Sequence, residues 1–140
     1  MFFDKTFLKK GFEVWVVTNY QKGRAFEYRL KKFLERFNYF VFRMAGSHSP
    51  FDLIAIRGDK IEFIQAKELY NKSAKNYVIK KVESDIKNFI IQQEELGNNL
   101  IGISFRLYLK IDKDRIYLYE LKDMGDFNLQ LQLAGFYDRI

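Results

Sequence analysis

The stretch FDLIAIRGDKIEFIQAK, residues 51–67, decides the fold of this chain. Two runs of apolar and β-branched residues, Phe51–Arg57 and Ile61–Lys67, flank Gly58-Asp59-Lys60, whose glycine and aspartate tolerate the positive φ of a tight turn. The pattern predicts two antiparallel strands joined as a hairpin. The second residue of the first strand is an acid, Asp52, in an apolar context where an unpaired carboxylate is costly to bury.

The segments on both sides of this hairpin predict an α/β domain. Lys22–Asn38 carries apolar residues at helical spacing, and Val82–Leu96 does so again before Gly97 and two asparagines end the pattern. Three further runs are strand-like: Tyr39–Met44, Leu100–Phe105 and Arg115–Leu121. The resulting order, α-β-β-β-α-β-β, predicts a mixed central sheet flanked by helices.

The length of 140 residues fits a single domain. We divide it into three parts: an N-terminal extension (1–20), a core (21–121) and a C-terminal tail (122–140). In the extension, Phe12–Val17 is strand-like, and in the tail Leu129, Leu131 and Leu133 alternate with Gln. The apolar side chains of the tail predict a surface that a second subunit covers.

Composition limits the chemistry. The chain has no Cys and one His, which excludes disulfides, thiolate metal sites and a multi-histidine metal site within one subunit. A bound metal must therefore rely on oxygen ligands, as magnesium does. No apolar run approaches the roughly 18 residues that a membrane-spanning helix needs, and the first residues lack the pattern of a secretory signal. We therefore expect a cytoplasmic protein with no membrane partner.

The net charge of +6 is concentrated in one region. Between Tyr20 and Ala45, seven Lys and Arg accompany two Glu, which gives a local charge of +5. A charged helix face is often only solvated, but this excess lies beside the end of the hairpin that carries Asp52, so we interpret it as a phosphate-binding surface. A second basic segment, which includes Lys72 and Lys75, is either a clamp for DNA or an ordinary loop.

Asp52, Gln65 and Lys67 meet at one end of the predicted hairpin. Because residues i and i+2 of a strand face the same side, Gln65 and Lys67 both point toward Asp52. Metal-dependent phosphodiester cleavage needs this grouping, since oxygen ligands hold a divalent ion that lowers the pKa of an attacking water. A lysine beside the ion orients the water or stabilises developing negative charge.

With its neighbouring segments, this grouping resembles the PD-(D/E)xK nuclease superfamily and, within it, the archaeal Holliday junction resolvases. The resemblance covers about residues 20 to 120 and rests on four segments in order: Lys22-Gly23-Arg24-Ala25-Phe26-Glu27, Arg43–Ser49, Asp52-Leu53-Ile54-Ala55 and Gln65-Ala66-Lys67. It implies a restriction-endonuclease-like fold. It also implies a crossover junction endonuclease for DNA recombination and repair, which resolves four-way junctions by Mg²⁺-dependent hydrolysis, with Mn²⁺ able to substitute.

The resemblance also assigns residues. Glu27, Asp52 and Gln65 fall in the metal site with the Ala66 carbonyl as a further ligand, and Lys67 is the catalytic lysine, so that Glu27, Asp52, Gln65 and Lys67 form the catalytic set. Two arginines match positions used on the DNA backbone, and a loop serine matches one near the active site. Together with the basic runs, these give the expected DNA contacts: Lys22, Arg24, Arg29, Lys32, Arg43, Ser47, His48, Ser49, Lys72 and Lys75.

The chain departs from the family pattern at two positions. Phe51 replaces the proline that precedes the aspartate, while Pro50 lies one residue earlier, and Gln65 replaces the usual second acid. A carboxamide oxygen binds Mg²⁺, but the loss of one negative charge weakens metal affinity. Two alternatives therefore stay open: another nuclease of this superfamily that acts on non-junction DNA, and a catalytically impaired DNA-binding protein.

The shape of the expected substrate bears on assembly. A four-way junction has approximate two-fold symmetry and must be cut on two strands. A two-fold dimer with both active sites on one side is the matching enzyme, so we expect a homodimer.

Overall fold

The computed structural model describes residues 10–44, 49–111 and 115–138 of the chain. Within these residues, two α-helices, α1 (Lys10–Glu35) and α2 (Lys75–Glu95), accompany six strands, and a short 3-10 turn at Lys72–Ala74 precedes α2. The strands are β1 (Phe40–Arg43), β2 (Leu53–Arg57), β3 (Lys60–Leu69), β4 (Ile103–Ile111), β5 (Arg115–Asp123) and β6 (Leu129–Tyr137). Neither α1 nor α2 is long and apolar enough to cross a membrane.

The six strands form one mixed sheet in sequence order, from β1 at one edge to β6 at the other. Only β3 and β4 of these are parallel, since α2 carries the chain back across the sheet between them. The face toward α1 is built around Phe26, Leu30 and Tyr108, and the face toward α2 around Ile86 and Leu107. The predicted α/β class, with a mixed central sheet between helices, is confirmed.

The predicted hairpin is also confirmed. β2 pairs antiparallel with β3, and Arg57 stands opposite Lys60, so the turn consists of Gly58 and Asp59. Gly58 has φ of 63°, a conformation that glycine adopts without steric cost. Leu53 is fully buried on the side of α1 and fixes the start of β2, so Asp52 stands directly before the strand.

Both helices begin earlier than the sequence pattern indicates. Phe12–Val17, predicted to be strand-like, belongs to α1, so that prediction is wrong. Its valines favour strands in isolation, but extending an existing helix adds one backbone hydrogen bond for each residue fixed. α2 begins at Lys75 rather than near Val82, so this part of the second basic segment is helical and the ordinary-loop interpretation is wrong.

The C-terminal tail contributes the sixth strand. Leu129 and Leu131 pack in the core beneath α2, and the ring of Tyr137 meets that of Phe33 at 4.8 Å on the opposite face. Much of the apolar surface of the tail is therefore buried within the chain. Leu133 and Phe136 remain 57% and 52% exposed.

A buried ion network joins β3, β4 and β5 on the face toward α1. Glu62 is 2% exposed, and its Oε2 accepts a hydrogen bond from the Tyr39 hydroxyl at 2.7 Å, while its Oε1 lies 3.4 Å from Arg106 Nη1. Arg106 also donates through Nε and Nη2 to Glu120 Oε2, at 3.1 and 2.8 Å. Burial, reinforced by the charge of Glu62, raises the pKa of the neighbouring Tyr108 well above its ordinary value. Glu62 is thus committed to the network and not to the end of the hairpin.

We predict that Arg106→Ala lowers the free energy of unfolding by about 3 kcal/mol, because it leaves the Glu62 carboxylate buried without its cation. Urea unfolding at pH 7 measures this change. Lys122→Ala is the control: it removes only a more exposed ion pair with Glu120, at 2.6 Å, and should cost less than about 1 kcal/mol. Equal losses in the two variants would contradict a structural role for the buried pair.

Candidate active site

Asp52 is fixed by its backbone and by its side chain. Its N–H donates to the Ile64 carbonyl at 2.8 Å, and its own carbonyl accepts from the N–H of Met44 at 2.8 Å. Its Oδ2 accepts a hydrogen bond from the N–H of Ala66, also at 2.8 Å. These contacts hold the carboxylate against β3 beside the Gln65-Ala66-Lys67 triplet, as the hairpin pattern predicts.

The environment of Asp52 favours a bound cation. Burial is the largest influence on its pKa and raises it, and the negative charge of Glu27 adds to this, while the Ala66 N–H, Lys67 and Arg43 act in the opposite direction. The net result is a pKa above the ordinary value. Glu27, Lys67 and Arg43 therefore all act on Asp52 electrostatically, and its ionised form is only partly compensated.

Glu27 reaches this group from α1. Its Oε1 accepts a hydrogen bond from Arg43 Nε at 2.9 Å, and both side chains are mostly buried. The Arg43 guanidinium also lies 4.8 Å from the centre of the Tyr28 ring. The sequence predicts that Arg43 contacts DNA, but in the structure its guanidinium is hydrogen-bonded to Glu27, a candidate metal ligand. This pair joins α1 to the end of β1.

Gln65 is 4% exposed, and only one of its two polar side-chain atoms has a hydrogen-bond partner among the described residues. Its Nε2 donates to the Pro50 carbonyl at 2.5 Å, which ties the loop before Asp52 to β3. Its Oε1 is buried and accepts no hydrogen bond from the described residues. An unpartnered buried acceptor is costly, and a bound cation would satisfy it.

The oxygens at this site match a hard divalent ion. Glu27 and Asp52 provide two carboxylates close enough for Glu27 to act on Asp52, and Gln65 of the neighbouring strand has an unpartnered amide oxygen. Oxygen ligands are what Mg²⁺ prefers. In the described part of the chain, no group of three His, Cys, Asp or Glu could hold a metal. Beyond carboxylates, Gln65 offers its unpartnered amide oxygen as a candidate ligand.

Phe51 accounts for the first departure from the family pattern. Its side chain is 2% exposed and lies in an aromatic cluster on the side of α2, with ring centroids 5.2 Å from Phe63 and 5.0 Å from Phe89. The ring anchors the residue directly before Asp52 in the core. Sequence reasoning missed this aromatic anchor and the hydrogen bond from Gln65 to Pro50. The hydrogen bond involves both departures, because it joins the amide at position 65 to the carbonyl of the proline that lies one residue earlier than in the family pattern.

The structure describes most of the residues that are predicted to contact DNA. Ser49 Oγ accepts a hydrogen bond from the N–H of Phe51 at 3.1 Å and so shapes the loop. Lys75 Nζ lies 5.1 Å from the centre of the Tyr117 ring. Four others are exposed on or just before the helices: Arg24, Arg29, Lys32 and Lys72. The remaining predictions, Ser47, His48 and the side chain of Lys22, lie outside the described residues.

Comparison with known proteins identifies the family of the chain. The family model of the archaeal Holliday junction resolvases, Hjc, matches residues 18–128, a span that contains Glu27, Asp52 and the Gln65-Ala66-Lys67 triplet. The chain belongs to this family. The resemblance predicted from the sequence is therefore confirmed, and the chain is a junction-resolving nuclease by family.

Among curated proteins, none matches the chain. Among solved structures, the Holliday junction resolvase Hjc of Archaeoglobus fulgidus, an archaeal hyperthermophile, is similar with a TM-score of 0.46 and 18% identity, over 76% of this chain and 83% of that one.

The raised pKa of Asp52 predicts how stability depends on pH. The folded chain binds this proton more tightly than the unfolded chain, so the contribution of Asp52 to stability is lost as pH rises through the folded-state pKa. Asp52→Asn keeps an acceptor for the Ala66 N–H without the charge. Without divalent ions, we expect the variant to be more stable than wild type at pH 8 and the difference to shrink as the pH falls toward 3.

Urea unfolding in EDTA across this pH range provides the measurement. Asp59→Asn, on the exposed hairpin turn, is the matched control and should show no comparable trend. If Asp52→Asn and wild type were equally stable at pH 8, Lys67 and Arg43 would have to compensate the buried charge fully.

Proposed function

We propose that this resolvase cuts four-way DNA junctions by Mg²⁺-dependent hydrolysis of phosphodiester bonds. The observation that carries the proposal is the carboxylate of Asp52, held on the Ala66 N–H beside Lys67 and influenced by Glu27. A fixed, partly desolvated acid next to a lysine is the arrangement that such hydrolysis requires. The family match supports a branched DNA substrate.

Glu27, Asp52 and the Oε1 of Gln65 would hold the metal, with the Ala66 carbonyl as a further donor. A bound Mg²⁺ lowers the pKa of an attacking water and neutralises charge on the scissile phosphate, and Mn²⁺, with the same preference for oxygen, would substitute. Gln65 adds a second role, because its amide nitrogen fixes the loop that leads into Asp52.

Lys67 is the candidate catalytic lysine. It lies two residues after Gln65 on β3, so both side chains leave the strand on the same face, and Lys67 is exposed to an incoming phosphate. Its ammonium stabilises the negative charge that develops on phosphate oxygens during cleavage. The same charge partly compensates ionised Asp52 before DNA binds.

Cations on α1 and around the start of α2 would bind the phosphates of the DNA backbone, and all of them except the half-buried Lys75 are exposed. Arg24, Arg29 and Lys32 line α1, while Lys72 and Lys75 stand where the chain leaves β3 for α2. These groups bind phosphates regardless of base sequence, so recognition would depend on the shape of the DNA. Ser49 and, by the family pattern, Lys22, Ser47 and His48 would extend this surface.

We further propose that the enzyme acts as a homodimer. The two-fold symmetry of a four-way junction calls for two active sites in one assembly. Phe40 and Phe42, on edge strand β1, meet edge to face with ring centroids 4.5 Å apart and stay 61% and 45% exposed, which provides an apolar surface suited to a second copy.

The cleavage prediction concerns Asp52→Asn and Lys67→Ala. Each should lower the rate on a labelled four-way junction by about a hundredfold or more, because each removes a group that stabilises the transition state. EDTA should abolish cleavage by the wild type. Lys60→Ala, at the far end of β3, is the control and should cut at the wild-type rate. Equal cutting of a linear duplex with the same arm sequence would instead favour a non-junction nuclease.

A separate prediction concerns Gln65. Gln65→Glu adds a negative charge at the metal site but removes the donor to Pro50, so we expect tighter Mg²⁺ binding, by about tenfold, and a free energy of unfolding lower by about 1 to 2 kcal/mol in EDTA. Gln65→Met removes both the donor and the oxygen and should lose metal affinity as well as stability. Calorimetric Mg²⁺ titration and urea unfolding measure the two effects separately.

Two outcomes would contradict this account of Gln65. If wild type failed to cut and Gln65→Glu cut the junction, the natural site would be catalytically impaired. If Gln65→Met bound Mg²⁺ as tightly as wild type, Oε1 would not be a ligand.

A further inference from the structure

We propose that Tyr117 and Phe136, flanked by Lys75 and Arg115, form a second DNA-binding surface that receives an unstacked base of the branched substrate. We call these four residues the aromatic platform. The inference rests on the proposed function, because the ligand is the same DNA that the proposed active site around Lys67 cuts.

The register of the sheet connects the aromatic platform to the active site. Lys67 on β3 pairs with Leu109 on β4, Leu109 with Tyr117 on β5, and Tyr117 with Phe136 on β6. Leu109 and Tyr117 both pack in the core on the side of α2, so this row lies on the α2 face. Three strand spacings of about 4.8 Å place Phe136 about 14 Å from Lys67. That separation equals about four base steps along a strand of B-DNA.

The ring of Phe136 is available to a ligand. Phe136 is 52% exposed, and its ring centroid lies 6.4 Å from that of the half-buried Tyr117. Tyr117 contacts the core below, whereas Phe136 lies outside the core and faces Tyr117 and the Arg115 guanidinium. Large exposed rings of this kind are common where proteins bind a base by stacking.

Cations accompany both rings. Lys75 Nζ lies 5.1 Å from the centre of the Tyr117 ring, and Arg115 Cζ lies 4.4 Å from that of Phe136. Arg115 also pairs with the exposed carboxylate of Asp138 at 3.0 Å, and Lys72 is exposed just before Lys75. The two cations of the platform, Lys75 and Arg115, exceed the one acid that pairs with Arg115, Asp138, so these groups carry a net positive charge. Rings that stack on bases, next to cations that bind phosphates, characterise surfaces for single-stranded nucleic acid.

The occupant we infer is an unstacked base rather than duplex DNA. A ring stacks only on a base face that is free, and a regular duplex covers both faces of every internal base. A branch point is where bases lose a stacking neighbour, so the aromatic platform would distinguish branched from linear DNA. A second copy of this chain is disfavoured, since a two-fold contact would bring the same cations together.

The experiment measures binding in EDTA, where no strand is cut. Wild type, Phe136→Ala and Phe136→Tyr are titrated against a labelled four-way junction, a linear duplex and a single-stranded oligonucleotide. Leu133→Ala is the matched control, because Leu133 is equally exposed on the same strand but pairs with Tyr119, two residues further along β5. Junctions with 2-aminopurine one to five nucleotides from the branch report stacking through fluorescence quenching.

We expect Phe136→Ala to bind the junction and the single strand about tenfold more weakly and the duplex as wild type does, with loss of quenching at one or two positions. Phe136→Tyr should retain wild-type behaviour, since it keeps the ring. Leu133→Ala should match wild type on all three DNAs. Sedimentation velocity should give the same species for all four proteins.

Other results would overturn the inference. Unchanged junction and single-strand affinity in Phe136→Ala would show that the ring does not stack on DNA. A change in sedimenting species in that variant alone would show that Phe136 contacts a second copy of the chain. Equal affinity of wild type for junction and duplex would instead count against the proposed function, while the single-strand titration would still test the platform.

Discussion

The hydrogen bond from the Ala66 N–H to Asp52 Oδ2 is the contact on which the rest of the site depends. It joins a backbone group of β3 to the carboxylate before β2, so the catalytic geometry is set by hairpin register. A slip of one residue would turn Gln65 and Lys67 to the opposite face. The two-residue turn at Gly58 and the buried side chain of Leu53 prevent such a slip. A short turn at the far end of the hairpin therefore controls the orientation of the Asp52 carboxylate.

Charge at the site is balanced without a third acid. Glu27 is neutralised by Arg43, and Asp52 is influenced by Lys67 as well as by Arg43. The free chain therefore tolerates two carboxylates near each other. Among the described residues, Gln65 Oε1 is one of three buried side-chain oxygens without a hydrogen-bond partner, with Glu62 Oε1 and Glu68 Oε1, and a divalent ion at the candidate site would provide it with one.

Local pattern predicted most of the fold and the meeting of Asp52, Gln65 and Lys67 at one end of the hairpin, because the hairpin, the second half of α1 and the spacing of these three residues depend on neighbours close in sequence. The helical state of Phe12–Val17 was not predictable from its valines, since cooperativity with the following turns outweighs propensity. The Glu27–Arg43 pair and the bond from Gln65 to Pro50 join residues 16 and 15 positions apart. Such contacts follow from tertiary structure, which no periodicity reveals.

The bond between Gln65 and Pro50 links the two departures from the family pattern. A proline shifted one position earlier presents its carbonyl to the side chain at position 65, and an amide, unlike a carboxylate, donates to it. An acid at position 65 would face this main-chain carbonyl without a proton to offer, whereas any residue at position 50 supplies the same acceptor. The hydrogen bond therefore does not require proline at position 50 but does require a side-chain donor at position 65, so a single residue couples the fastening of the loop before Asp52 to the charge of the candidate site.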